Sequence, residues 1–380
     1  MPEKRYLMTP GPTPVPPEVL AAGAQPVLHH RSPDFAPILE RTLGRLQAVY
    51  RTERDVLMFS SSGTGAMESA AANLLTPRDR ALVVSAGSFG ERWVQIVRAY
   101  GAEVDVLAYE WGAVPAAEDI ATRLRERSAK VVFLTHSETS TGVVADVRSL
   151  AAAAKEAGAL VVVDAISSLG AVPLETDAWE LDVVLAGSQK ALMCPPGLAF
   201  AAVSEQAFAA RGSGPRFYFD WERIRAAQAK LDAAYTPAVT LIASLDVALG
   251  HLLEEGLEQA FDRHARLGRA CREGAKAMGL ELFSPDDDTA AVVTAIRAPD
   301  GVDATDVVRG LRDGHGITIA NGQGPLKGRI FRIGHIGWFD VFDITTALAA
   351  AELVLVELGA DVERGVATAR ALEVYERARV

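Results

Sequence analysis

The chain has 380 residues and a formal charge of −11, from 38 Lys plus Arg against 49 Asp plus Glu. No basic stripe accompanies that acidity, which excludes nucleic acid as the main partner. Hydrophobic residues make up 49% and charged ones 23%, which excludes a disordered chain and supplies material for a large core.

Residues 1–17 carry six prolines (Pro2, Pro10, Pro12, Pro14, Pro16 and Pro17) and are expected to form an extended arm, not a helix. This start lacks the apolar core of a signal peptide. No apolar run nears the roughly 18 residues of a membrane helix. The two cysteines, Cys194 and Cys271, are too few for a disulfide framework and fit a reducing compartment. A soluble, cytoplasmic protein is expected. From residue 56, short apolar runs at 56–59, 81–84, 104–107, 131–134, 160–163 and 183–185 alternate with helical stretches at 66–75, 91–100, 117–127 and 147–157. Strands that are apolar throughout and spaced by helices indicate a mostly parallel sheet covered on both faces, so residues 18–250 are read as one large α/β domain. After about 250 the rhythm loosens. Helices over 252–278 and 302–313, β-like runs at 291–296 and 330–333 and a last long helix give a smaller α+β domain over 251–380.

In an open parallel sheet, ligands bind beyond the carboxyl ends of the strands. After the first run comes Ser60-Ser61-Ser62-Gly63-Thr64-Gly65, leading into a helix. Small hydroxyl residues and glycines at a helix N-terminus suit a phosphate, and equally serve as a cap and tight turn. Glu68 stands where a dinucleotide fingerprint needs its third glycine, and the Walker Gly-Lys pair is absent. Asp164 closes one apolar run and Lys190 follows another, in Gly187-Ser188-Gln189-Lys190. Taken singly, they read as a helix cap and a surface lysine. A buried carboxylate, however, wants a cation, and a lysine in a cleft can have its pKa lowered enough to form a Schiff base. Together the three features meet the needs of pyridoxal phosphate, which has a phosphate, a ring nitrogen that must stay protonated and an aldehyde.

The runs Thr9-Pro10-Gly11-Pro12-Thr13, Ser62-Gly63-Thr64, Glu138-Thr139-Ser140-Thr141-Gly142, Val163-Asp164-Ala165, Gly187-Ser188-Gln189-Lys190-Ala191, Pro195-Pro196-Gly197 and Phe331-Arg332-Ile333-Gly334 resemble class V pyridoxal-phosphate aminotransferases. Within the class, the chain is most similar to the alanine–glyoxylate and serine–pyruvate (serine–glyoxylate) branch. The resemblance implies fold type I, the aspartate aminotransferase-like architecture, and a homodimer with shared sites. It makes Lys190 the Schiff-base lysine and proton shuttle, and Asp164 the partner of the ring nitrogen. Ser62, Gly63, Thr64 and Gln189 fall where the family holds the phosphate, and Thr139 where a hydroxyl meets the phenolic oxygen. Ile166 and Phe89 would cover the two ring faces. Thr236 would reach the phosphate from the neighbouring subunit, and Arg332 and Gly11 fall on the substrate side. Phe89 stands where the branch often has tryptophan, and Thr64 where some members have histidine.

The implied activity is ping-pong transamination from a small amino acid, alanine or serine, to a small 2-oxo acid, glyoxylate or pyruvate. One carboxylate-binding arginine favours such substrates over dicarboxylates. The alternatives are a lyase of the same class, desulfurase- or kynureninase-like, and a non-catalytic cofactor-binding subunit. The seven histidines show no metal-ligand spacing. His29-His30-Arg31 is a candidate for the active-site mouth. Cys194 and Cys271 read as buried, inert thiols.

Overall fold

The computed structural model describes residues 4–287 and 290–377. Seven strands form the main sheet, in the spatial order Val56–Ser60, Leu198–Val203, Val183–Gly187, Leu160–Asp164, Val131–Thr135, Arg80–Ser85 and Glu103–Ala108. The last five are mutually parallel. Leu160–Asp164, Val183–Gly187 and Leu198–Val203 are buried along their whole length, because helices cover both faces of the sheet. Glu103–Ala108 lies at one edge and keeps Glu103 exposed, which discourages further pairing there.

Leu198–Val203 was not foreseen as a strand. It runs antiparallel between Val56–Ser60 and Val183–Gly187, pairing Leu198 with Ser60 and Ala199 with Gly187. Its start therefore lies beside the carboxyl ends of its neighbours. That juxtaposition brings the turn around Lys190 up to the loop at residues 60–62.

A three-stranded antiparallel sheet, Val293–Arg297, Ile330–Gly334 and Ala320–Asn321, anchors the C-terminal part. Helices Leu257–Ala277, Ala304–His315, Val341–Glu357 and Val366–Arg377 share its core. The helix expected over 252–278 is two helices, Val239–Glu255 and Leu257–Ala277, because Gly256 takes φ 91° between them. The boundary expected at residue 250 thus falls inside the first of these. The arm also differs at both ends. Pro17 opens the helix Pro17–Gly23, where its missing N–H costs nothing. Tyr6–Leu7 forms a parallel strand with Ile317–Thr318, and Met8 is buried in the C-terminal core, so the arm packs on its own chain. No helix among the described residues is long and apolar enough to cross a membrane.

Candidate active site

Asp164 ends its strand with a buried carboxylate. Its Oδ1 accepts the Ile166 N–H at 2.9 Å, the one hydrogen bond it makes among the described residues. Burial pushes the carboxyl up to about 6, with nearby Glu138 adding to the rise; the Ile166 N–H, Lys190 and Arg92 oppose it. Lys190 follows the adjacent strand and is 9% exposed. Burial pushes its amine down to about 8, and Arg332 and Arg92 push the same way against Asp164. Nζ donates to the Pro10 carbonyl at 3.2 Å. A Cβ on Gly11 would stand 2.3 Å from Nζ, so only glycine lets the arm pass so close to the amine. Thr13 fastens the arm further, its N–H donating to the Gln189 carbonyl at 3.1 Å and its hydroxyl to the Lys190 carbonyl at 2.9 Å.

Ser62 is the N-cap of helix Gly63–Leu74, but its side chain makes no capping hydrogen bond. The Gly65 N–H turns back to the Ser62 carbonyl at 2.8 Å, which leaves the Gly63 and Thr64 N–H groups without a partner among the described residues, and the helix dipole favours an anion there. Gly63 packs against Ile166, whose Cδ1 would be 2.7 Å from an added Cβ. Gln189 Oε1 is buried with no partner among the described residues. The Thr139 hydroxyl shares a 2.8 Å hydrogen bond with Ser167.

Arg332 sits in Ile330–Gly334, 4% exposed. Its Nε and Nη2 donate to the Asn321 carbonyl at 3.1 and 2.7 Å, and Nη1 donates to the Thr139 carbonyl. Burial lowers its pKa to about 10. The charge of nearby Glu138 opposes the effect of burial, and among the described residues the hydrogen bonds of Arg332 go to backbone carbonyls and none to a carboxylate. That is the condition of a receptor for an anion.

Three residues with clear contacts in this cluster were missed by sequence reading. Glu138 is buried and accepts the N–H groups of Phe89, Gly90 and Ser140 at 3.0, 3.2 and 3.2 Å, so it caps helix Ser88–Ala99 from another segment. Burial pushes its pKa up. Arg92 lies one helical turn after Phe89, a spacing that puts the two side chains on one face. Asn321 acts through its carbonyl, which no side-chain pattern reveals.

Thr236 lies elsewhere. It lines a groove with Phe35, Tyr218 and Tyr235 that reaches Ser60 but none of Lys190, Asp164 or Arg332. His29 and His30 stack on each other at 4.9 Å, and Arg31 pairs with Asp232 beside that same groove. Cys194 and Cys271 are buried, their thiols pushed up to about 12 and about 11 by burial.

The donor set fits pyridoxal phosphate. Unspent helix N–H groups and the orphaned Gln189 suit the phosphate, and Asp164 Oδ2 is open to a ring N–H. Lys190 offers an amine that burial keeps partly neutral. The class V aminotransferase family model matches residues 5–327. Over 94% of this chain and 95% of its own length, the "Soluble hydrogenase 42 kDa subunit" of Anabaena cylindrica is 42% identical. The L-aspartate–glyoxylate aminotransferase of Paracoccus denitrificans is 35% identical over 99% and 98%. The serine–glyoxylate aminotransferase of Methylorubrum extorquens is 36% identical over 97% and 96%. Among solved structures, the ureidoglycine–glyoxylate aminotransferase of Bacillus subtilis superposes with a TM-score of 0.93 at 32% identity, covering 99% of each chain. The chain belongs to the class V aminotransferases, enzymes that use pyridoxal phosphate to transfer amino groups.

Proposed function

We propose that the enzyme moves the amino group of a small amino acid, alanine or serine, to glyoxylate or pyruvate in two half-reactions. The observation that carries this reading is Arg332, a buried guanidinium held by the Asn321 and Thr139 carbonyls and, among the described residues, in no ion pair with a carboxylate. Its fork takes the substrate carboxylate in bidentate fashion and so fixes the direction of the Cα–H bond. Glyoxylate as acceptor is supported by the names of the relatives from Paracoccus, Methylorubrum and Bacillus.

Bound pyridoxal phosphate supplies an aldehyde that takes up the amino group and a ring that accepts the electrons released when Cα–H breaks. Ser62, Gly63, Thr64 and Gln189 hold its phosphate, and Phe89 and Ile166 cover its ring. Asp164 keeps the ring nitrogen protonated, and the positive charge there offsets the burial that raises its own carboxyl. Thr139 orients the phenolic oxygen. Lys190 would serve as the proton carrier, its Nζ taking up the proton released at the substrate Cα and giving it back when the reaction runs in reverse. Gly11 leaves room for that amine beside the bound substrate. We further infer that the enzyme is a cytoplasmic homodimer, a second copy covering the groove around Thr236 and bringing that hydroxyl to the phosphate. The boundary between the two domains is placed at Gly256.

The hydrogenase-subunit name of one relative favours a second reading, a non-catalytic subunit. The complete set of Asp164, Lys190 and Arg332 supports the enzyme instead. A desulfurase-like lyase needs an accessible thiol, and both cysteines are buried. The decisive assay follows the visible spectrum of the purified protein and of Lys190→Ala during titration with L-alanine, L-serine and L-aspartate. The wild type should lose its cofactor band with alanine or serine and regain it with glyoxylate. Lys190→Ala should turn over at least about a hundredfold more slowly, the usual loss for a positioned acid–base group. Equal turnover of L-aspartate would sink the small-substrate assignment, and a spectrum untouched by any amino acid would leave the subunit reading.

A further inference from the structure

Arg92 makes no direct ion pair among the described residues, and its side-chain hydrogen bond goes to a neutral hydroxyl. It projects from helix Ser88–Ala99, and Nη1 donates to the Thr64 hydroxyl at 3.1 Å. Its guanidinium also lies over the Phe89 ring, 4.7 Å from the centroid. One side chain thus touches both a residue of the anion loop and the aromatic ring of the site. Its charge reaches further, disfavouring protonation at both Asp164 and Lys190.

A threonine hydroxyl has a single hydrogen to donate. When its oxygen already accepts from a guanidinium, that hydrogen is free to point at an acceptor on the other side, and the bond it makes is strengthened by the neighbouring charge. We propose that Arg92 is a positioning residue for the cofactor phosphate, committing the Thr64 hydroxyl as a phosphate donor. This rests on the class V reading of the site. An arginine that merely braced the fold would serve the cofactor ring and its phosphate alike. An arginine that works through Thr64 serves the phosphate selectively.

The test uses the full-length enzyme, resolved of its cofactor and titrated with pyridoxal phosphate and, separately, with pyridoxal, following tryptophan fluorescence. Wild type, Arg92→Met, Arg92→Lys, Thr64→Val and the Arg92→Met/Thr64→Val double variant are compared. Arg92→Met should weaken pyridoxal phosphate roughly tenfold to a hundredfold, the worth of one charge-assisted hydrogen bond, and leave pyridoxal unchanged. Arg92→Lys should recover part of the loss. The double variant should lose no more than the worse single one, because both remove the same interaction. Should Arg92→Met fail to fold, Thr64→Val must by itself show the phosphate-selective loss. Loss of both ligands alike, or of neither, in a folded Arg92→Met or in that Thr64→Val overturns the proposal. A wild type with no preference for pyridoxal phosphate over pyridoxal would overturn the cofactor assignment with it, an outcome distinct from a normal wild type with an unaffected variant.

Discussion

Lys190 is poised between opposing influences. Burial, Arg332 and Arg92 all disfavour its charged form, and Asp164 alone among the named groups favours it. Cofactor uptake requires the neutral amine, so its rate should rise with pH and level off above about 8. Removing the carboxylate removes the force that holds the pKa up. The uptake midpoint of Asp164→Asn should therefore move to lower pH, measured from the absorbance change on mixing the apoprotein with pyridoxal phosphate. A midpoint that stays near 8 in the variant would show that the two residues are not coupled. The positions of Asp164 and Lys190 were legible in the sequence because each closes or follows an apolar strand. Glu138 and Asn321 were not. Both bonds involve a backbone group, N–H donors bound by the Glu138 carboxylate and the Asn321 carbonyl that accepts from Arg332, and such roles depend on which segments meet in space.

At the scale of elements, the first turn of helix Ser88–Ala99 has no capping side chain of its own, since Gly87 stands at the N-cap. An added Cβ on Gly87 would meet the Glu138 carboxyl carbon at 2.5 Å, so the glycine makes room for a cap delivered from the separate hairpin strand Ser137–Glu138. Glu138 satisfies three backbone N–H groups at once. Glu138→Ala leaves them buried and unmet, and should cost about 3 kcal/mol of stability in denaturant unfolding of the apoprotein. Glu138→Gln keeps one oxygen acceptor and should cost less. Equal stability of all three proteins would mean that water replaces the carboxylate. The crossover strands and helices were readable from periodicity, whereas Leu198–Val203 was not, because nothing in its own residues says that it inserts antiparallel between two others. The helix break at Gly256 was missed for a related reason: the apolar period continues across it while the backbone does not.

At the scale of the whole molecule, the groove around Thr236 is flanked by exposed aromatic side chains, Phe217 at 65% and Tyr218 at 42%. A second copy of the chain would remove that surface from water. Sedimentation should therefore give twice the mass of one chain, and Thr236→Ala should weaken cofactor retention without dissociating the dimer. A fully active monomer would contradict both the dimer and the assigned place of Thr236. The C-terminal strands and helices were legible in outline from the change in rhythm after residue 250, but not the path of the arm. Proline content says that the arm is extended and leaves open which surface it follows. It runs from a strand pairing with Ile317–Thr318 to the Pro10 carbonyl against Lys190. During synthesis, residue 6 therefore has no partner until residue 317 has left the ribosome. A chain released early can build most of the main sheet and its Asp164, yet lacks both the strand that seats the start of the arm and Arg332, so catalytic competence is withheld until nearly the whole polypeptide has been made.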